Sequence, residues 1–340
     1  MEANSRIIAV TGAKGQLGGE LCRLLGGRAA VLDIDTLDLT DRQAVLDTFL
    51  AVRPAVIINC AAFAQVDKAE TEPELARAVN VGAVENLVEV CRRLDCRLVQ
   101  ISTDYVFGEG GRPKTEGGDP RPWKEDDEPS PQGVYARSKL EGERAAAKLE
   151  KHIIVRTCGL YARRSAGNAR NFVKTILHYA DTRPELRVVN DQHCTPSYVP
   201  HVAAAVLFLA GAAPETASVH GDLQQGSGHP PSAARGIAAN AKYATNGTRS
   251  VPAAMPAVGN YSGVYHVTNR GATTWHEFAA EILRLAGKST PVVPITTAEF
   301  AAAAPRPSYS VLDTTKYRSL GGPEMPEWKI GLQDYFEERS

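Results

Sequence analysis

The chain has 340 residues, 43% of them hydrophobic, enough to bury a large core in one big domain or two closely packed lobes. Its formal net charge of −1 advertises no surface for nucleic acid or for an anionic membrane. No apolar stretch approaches membrane-spanning length, and no apolar targeting segment precedes the first predicted strand, so a cytoplasmic protein is expected.

That first strand is Arg6-Ile7-Ile8-Ala9-Val10, a short apolar run rich in β-branched residues. Thr11-Gly12-Ala13-Lys14-Gly15-Gln16-Leu17-Gly18 follows at once, and Leu17, Leu21, Leu24 and Leu25 then repeat with helical spacing. Glycines between a strand and a helix allow a tight turn and let the backbone approach a pyrophosphate. The helix N-terminus meets the same group with N–H donors and a partial positive charge. Gly12, Gly15 and Gly18 therefore predict a dinucleotide site, although their first gap is one residue longer than the usual fingerprint. A second run, Ala30-Val31-Leu32, ends at Asp33, whose carboxylate suits the hydroxyls of an adenosine ribose.

Val56-Ile57-Ile58-Asn59 is a third strand, and the small residues Cys60-Ala61-Ala62 after it would let backbone pass close to the dinucleotide. A helix is expected from about Glu72 to Leu94, with Asn80 near its middle. The fourth strand, Arg97-Leu98-Val99-Gln100-Ile101, delivers Ser102 and Thr103 to its carboxyl end, where ligands of open α/β sheets bind. The Gly-, Pro- and acid-rich stretch between Phe107 and Pro131 reads as a loop over the site mouth.

Tyr135 and Lys139 lie about one helical turn apart in Val134-Tyr135-Ala136-Arg137-Ser138-Lys139, so phenol and ammonium share a helix face. A Lys cation beside the phenol favours the phenolate and is expected to draw its pKa toward neutrality. A hydroxyl tuned in this way can give a proton to a carbonyl oxygen as a hydride reaches its carbon. The fifth strand, Ile153-Ile154-Val155-Arg156-Thr157, should release its exit loop toward the cofactor.

The second half is less regular. Helices are expected near Asn171–Tyr179, from about Tyr198 to Ala210 and from Thr274 to Leu285, with strands at Leu186–Val189 and Gly263–Val267. The stretch from about Ala212 to Asn260 has no sustained period and reads as a mobile insertion. Its Asn246-Gly247-Thr248 sequon is read as accidental. Cys22, Cys60, Cys91, Cys96, Cys158 and Cys194 lack metal-ligand spacing, so reduced core thiols and no metal site are expected. The alternation predicts an α/β chain: a Rossmann-type doubly wound parallel sheet with a smaller C-terminal α/β substrate-binding lobe. Residues 1–160 would mainly hold the dinucleotide and 161–340 mainly the substrate, with interleaved lobes and a flexible insertion near 212–260.

The glycine turn, the Ser102-Thr103 pair and Tyr135-x-x-x-Lys139 together resemble the extended short-chain dehydrogenase/reductases. Further segments resemble the dTDP-4-dehydrorhamnose reductase family among them. These are Asp67-Lys68-Ala69-Glu70, Ser102-Thr103-Asp104-Tyr105-Val106-Phe107, Ser138-Lys139-Leu140-Glu141-Gly142-Glu143, Asn190-Asp191-Gln192, Thr274-Trp275-His276-Glu277-Phe278 and Arg306-Pro307-x-x-Ser310. The resemblance spans roughly residues 6 to 336 outside the two irregular stretches.

It implies reduction of the C4 carbonyl of a dTDP-linked 4-keto-6-deoxy sugar by NADPH or NADH to give dTDP-L-rhamnose, and it allows a homodimer. Residue by residue it implies Gly15, Gln16 and Leu17 at the pyrophosphate, Asp33 at the adenosine ribose, and Asp38 and Leu39 beside the adenine. Ala61, Ala62 and Phe63 would line the dinucleotide groove, and Lys139 would also hold the nicotinamide ribose. Tyr135 would donate the proton, Thr103 would bond the oxygen under reduction, and Asp104, Tyr105 and Arg306 would contact the sugar or its diphosphate. Some members carry Trp after the fifth strand, where Gly159 stands here, so Tyr161 or a loop residue would have to supply an aromatic face for the sugar. Thr103-Asp104-Tyr105 lacks the Asp-Glu pair that 4,6-dehydratases place after the Thr, which disfavours dehydration. A nucleotide-sugar 4-epimerase and a non-catalytic regulatory subunit resembling the methionine adenosyltransferase β subunit are the alternatives.

Overall fold

The computed structural model describes residues 6–108, 113–116, 118, 121–164, 171–212 and 261–338. Of the mobile insertion expected at 212–260, Ala212 is described and buried, and residues 213–260, with the sequon, lie outside the described residues. The first half alternates strand and helix: β1 (Ile8–Thr11), α1 (Gln16–Leu25), β2 (Ala29–Leu32), α2 (Arg42–Val52), β3 (Val56–Asn59), the short α3 (Val66–Ala69), α4 (Pro73–Arg77), α5 (Ala83–Leu94), β4 (Arg97–Thr103), α6 (Gly133–Ala146) and β5 (His152–Thr157). The helix α2 was not foreseen; Asp41 starts it by accepting the Ala44 N–H at 3.0 Å.

After β5 come β6 (Leu160–Tyr161), α7 (Phe172–Ala180), β7 (Leu186–Val189), β8 (His193–Cys194), β9 (Ser197–Tyr198) and α8 (Val199–Ala210). Then follow β10 (Gly263–His266), β11 (Thr273–Thr274), α9 (Trp275–Leu285), β12 (Val292–Ile295), α10 (Thr297–Phe300), α11 (Thr315–Arg318) and α12 (Trp328–Glu337).

The main sheet has six parallel strands in the order β10-β5-β4-β3-β1-β2. Parallel strands covered on both faces need continuous apolar runs, and β1 is buried at every residue. On one face α1 and α8 pack in a cluster with Leu17, Leu21, Val202 and Val206. On the other, α2 and α5 bury Val45, Phe49, Leu87 and Val90. Chain order reverses between β1 and β3, so the crevice outside their carboxyl ends is the topological switch point where ligands of such sheets bind.

Beyond this sheet, β7 pairs with β12 and β8 with β11. Here α7, α9 and α12 bury Tyr161, Phe278, Trp328 and Tyr335 together. A capping box starts α9: Thr274 accepts the Glu277 N–H and the Glu277 side chain returns to the Thr274 N–H.

Two expectations change in detail. The single helix foreseen over 72–94 is α4 and α5 joined by one π-helical turn at Ala78–Gly82. The wide turn turns Asn80 inward, where it is bound by groups on both sides. The stretch between Phe107 and Pro131 is also more than a loop over the site mouth. Trp123 stacks on Phe107 at 4.6 Å between centroids and donates to the Tyr309 carbonyl at 3.1 Å, so this one residue anchors the stretch in the core while Lys114, Thr115, Glu116 and Lys124 stay exposed.

Candidate active site

At the switch point, Gly12 follows β1 with φ +64°, and a Cβ there would come within 2.6 Å of the Ala61 nitrogen. A side chain at Gly18 would run into the Gly12 carbonyl oxygen. Only glycine gives this turn its shape and leaves backbone, rather than side chains, facing outward. Gly15 caps α1 in an extended conformation with no side-chain hydrogen bond at the cap, so the N–H groups of the first turn are available to an anion. This glycine cradle fits the pyrophosphate of a dinucleotide.

The flank of the cradle is more committed than the sequence suggests. Asp33 accepts the Lys14 N–H at 2.7 Å and its neighbour Ile34 N–H at 2.8 Å, closing the turn against β2. The Lys14 ammonium meets Asp35 at 2.6 Å. Asp38 accepts the Thr40 N–H and hydroxyl, and the Leu39 side chain is buried among Leu37, Val45 and Leu46. On the opposite wall, Ala61 and Ala62 are half-buried beside Gly12, and Phe63 is buried.

Beneath the crevice runs a polar seam that the sequence reading passed over. Thr11 donates to Asn59 at 2.6 Å, Asn59 donates to Gln100 at 2.8 Å, and Gln100 donates to the Ile101 carbonyl at 3.1 Å. These residues sit side by side on β1, β3 and β4. The Ile101 carbonyl also accepts the Lys139 ammonium at 2.7 Å, so the seam ends at the catalytic candidate. Asn80 joins the two walls: it accepts the Phe63 N–H at 2.9 Å and donates to the Ser138 hydroxyl at 2.9 Å. Asn and Gln inside apolar strands, and an Asn within a helix, were the available signals for these buried networks.

Tyr135 and Lys139 do lie on one helix, α6, which packs against β4 and so stands over Thr103. The phenol hydrogen-bonds Thr103, but burial outweighs this and pushes the Tyr135 pKa up to about 12. The expected downward pull by Lys139 is not found; that ammonium points to the Ile101 carbonyl. Burial lowers Lys139 to about 8 even though Glu143 and Cys60 oppose it. A raised phenol keeps its proton through the neutral range, the state an acid needs before it gives that proton to an alkoxide.

Thr103 closes β4, accepting the Tyr105 N–H at 3.2 Å and donating to Asp104 at 3.1 Å. Asp104 is buried, which holds its carboxyl above the usual range against hydrogen bonds from Cys158, Ser310 and Thr103. Ser310 thereby pins the segment after Arg306 to the end of β4. Tyr105 meets the Tyr135 ring edge-on at 5.9 Å, and Arg306 is paired with Asp67 at 2.7 Å. Thr103, Asp104, Tyr105, Tyr135, Lys139 and Arg306 are thus brought into one neighbourhood from three separate stretches of chain.

Gly159 lies just past β5 with φ +52°, and a Cβ there would come within 3.2 Å of Trp275 Cη2. Tyr161 cannot take the aromatic place considered for it, because it is fully buried against Tyr198, Phe278 and Tyr335. Trp275, half-buried and packed on Phe172 at 4.8 Å, is the aromatic beside Gly159. All six cysteines are free thiols, and among the described residues no cluster of His, Cys, Asp and Glu could hold a metal. No helix among them is long and apolar enough to cross a membrane.

A family model described as the RmlD substrate binding domain matches residues 6–229 and 224–340. The dTDP-4-dehydrorhamnose reductase of Streptomyces griseus is 36% identical over 334 residues, covering 96% of this chain and 92% of that protein. The reductase of the same name from Salmonella typhimurium is 32% identical over 342 residues, with 96% and 95% covered. The crystal structure of the Bacillus anthracis dTDP-4-dehydrorhamnose reductase in complex with NADP superposes with a TM-score of 0.78 at 31% identity, covering 98% of this chain and all of that one, 100%.

Proposed function

The chain belongs to the dTDP-4-dehydrorhamnose reductase family, and from that membership and the site's geometry we propose how it works. It is an NAD(P)H-dependent oxidoreductase that reduces the C4 keto group of dTDP-4-dehydro-L-rhamnose to give dTDP-L-rhamnose, the donor for rhamnose transfer. The observation that carries this reading is the Tyr135–Thr103 pair over the carboxyl end of β4, beside a glycine cradle for the cofactor.

With its pyrophosphate held in that cradle, NAD(P)H would supply the hydride. Gly12, Gly15, Gln16, Leu17 and Gly18 hold the pyrophosphate, with Asp33, Asp38 and Leu39 toward the adenosine and Ala61, Ala62 and Phe63 along the groove. Asp33, already holding two backbone N–H groups, retains lone pairs for ribose hydroxyls. Lys139 holds the nicotinamide ribose and is itself fixed by the Ile101 carbonyl. Thr103, held at this spot by Asp104, turns its hydroxyl proton from that carboxyl to the sugar O4 and donates to it, and Tyr135 gives that oxygen its proton as charge develops on it. Asp104, Tyr105 and Arg306 face the sugar and its diphosphate. Residues 1–160 mainly serve the cofactor and 161–340 mainly the nucleotide sugar. The protein works in the cytoplasm, as a monomer or a homodimer.

The test follows NAD(P)H absorbance with enzymatically prepared dTDP-4-dehydrorhamnose, wild type beside Tyr135→Phe. Wild type should consume cofactor and yield dTDP-rhamnose. Tyr135→Phe should bind NADPH normally and lose about 10²- to 10⁴-fold in kcat, the worth of a positioned acid. Full activity in that variant would refute the assigned acid, and cofactor binding without consumption by wild type would point to the regulatory alternative.

A further inference from the structure

The segment Asp67-Lys68-Ala69-Glu70 contributes no group to the chemistry above, yet both of its acids are spent on the site. The helix α6 needs a cap, because its N-cap residue Gln132 makes no side-chain hydrogen bond to the first turn. Glu70 provides one from elsewhere in the chain, accepting the Val134 N–H at 2.7 Å. A carboxylate is well placed there, at the positive end of the helix that carries Tyr135 one residue further on.

Gly133 makes this approach possible. Its φ is +75°, and a Cβ would stand 2.6 Å from Glu70 Oε1 and 3.3 Å from Pro305. Pro305 belongs to the strap that Asp67 holds. Asp67 accepts the Ala304 N–H at 3.0 Å and takes both ends of the Arg306 guanidinium, at 3.1 and 2.7 Å. Arg306 turns back to the Ala304 carbonyl at 2.8 Å, so the strap is closed on itself as well. Tyr105, edge-on to the Tyr135 ring, also neighbours Arg306 and so stands between the strap and the helix α6.

We propose that Asp67 and Glu70 are positioning residues, a two-armed latch in which Glu70 sets the first turn of α6 and hence Tyr135, while Asp67 sets the strap and hence Arg306. The proposal rests on the catalytic reading of Tyr135 and refines it. The two arms have separable effects. Loosening the first turn of α6 displaces the acid and lowers kcat, whereas loosening Arg306 weakens the hold on the substrate's charged part and raises KM.

The experiment compares wild type, Glu70→Ala, Glu70→Gln and Asp67→Ala in the keto-sugar assay. NADPH affinity and amide hydrogen exchange of the segment around residues 131–140 are measured alongside. Glu70→Ala should lose about ten- to a hundredfold in kcat, the scale of a small misplacement, with NADPH affinity within about twofold and faster exchange at the start of α6. Glu70→Gln, which keeps an acceptor for the Val134 N–H, should recover most of both. Asp67→Ala should raise KM more than it lowers kcat. Unchanged kcat and exchange in Glu70→Ala would overturn the latch. So would an equal loss in Glu70→Gln, or a loss shared with NADPH affinity, since either would mean a general structural role. If wild type itself left the keto sugar unreduced, the catalytic reading would fail, and the exchange of α6 would still decide whether Glu70 holds it.

Discussion

Replacing Glu143 by alanine should cost this protein several kcal/mol, because it strands a buried cation. Glu143 and Arg156 each keep only 4% of their side-chain surface exposed and meet at 2.7 Å. A second bond runs from Arg156 Nε to the other carboxylate oxygen at 3.0 Å, and the Ser102 hydroxyl donates to that same oxygen. The guanidinium lies 5.0 Å from the Phe107 ring centroid, in the cluster with Trp123 and Leu140, where water cannot replace the lost carboxylate. Breaking one side of such a pair costs about 3–5 kcal/mol, most of it the penalty of the unpaired charge. With an unfolding entropy of about 2.1 cal/mol/K per residue, 340 residues give about 0.7 kcal/mol/K. The melting temperature should then fall by about 4–7 °C, read by calorimetry at neutral pH.

The apolar double substitution Glu143→Leu with Arg156→Met removes both charges and should recover much of that loss. Activity carries a second signature: Glu143 raises the pKa of Lys139, so its loss should move the alkaline limb of the pH profile below about 8. A fall of less than about 1 °C in Glu143→Ala would refute the argument, as would a double variant no better than the single one.

Acid should destabilise the protein through His266, whose pKa burial lowers from 6.5 to about 3, with Arg156 adding to the effect. Between these values the unfolded chain binds a proton that the folded chain refuses. Stability is therefore full above pH 6.5 and is lost as pH falls toward 3, by on the order of 5 kcal/mol; urea melts should show this slope, and His266→Gln should flatten it. Gly142→Ala would drive a methyl into the Asn80 carbonyl across the π-helical turn, costing about 1–3 kcal/mol in urea unfolding; an unchanged midpoint would contradict the close packing of α6 on that turn. Asp104→Asn should keep NADPH affinity but lower kcat by about tenfold or more, because the carboxylate accepts from Thr103 and Ser310 on separate oxygens and an amide has only one to offer. Equal kcat in that variant would remove Asp104 from the orienting role.

Much of this protein follows from local pattern. The apolar runs at Ile8–Thr11, Val56–Asn59, Arg97–Thr103 and His152–Thr157 form strands close to where the residues suggest, and the glycines stand in the turn their spacing implies. Period and turn chemistry are properties of neighbouring residues, so a sequence displays them directly. The same holds for Tyr135 and Lys139 sharing a helix, and for Thr103 at the end of a strand.

Burial is different, because it depends on what the rest of the chain brings. The Lys139 cation was expected to lower the Tyr135 phenol, yet packing desolvates the phenol and directs the ammonium to the Ile101 carbonyl. Nor does sequence pair Asn59 with Thr11 and Gln100, or Asn80 with Phe63 and Ser138, although each is among the ties that hold the site together. Gly159 reads as a missing aromatic until the fold puts Trp275 beside it. The chain by itself determined the strands, the glycine turn and the placing of Thr103 at a strand end and of Tyr135 and Lys139 on one helix, since each of these needs only nearby residues. The tertiary structure alone decided their protonation, their partners and the 237-residue reach from Asp67 to Ala304, because electrostatics and hydrogen bonding act through space and not along the chain.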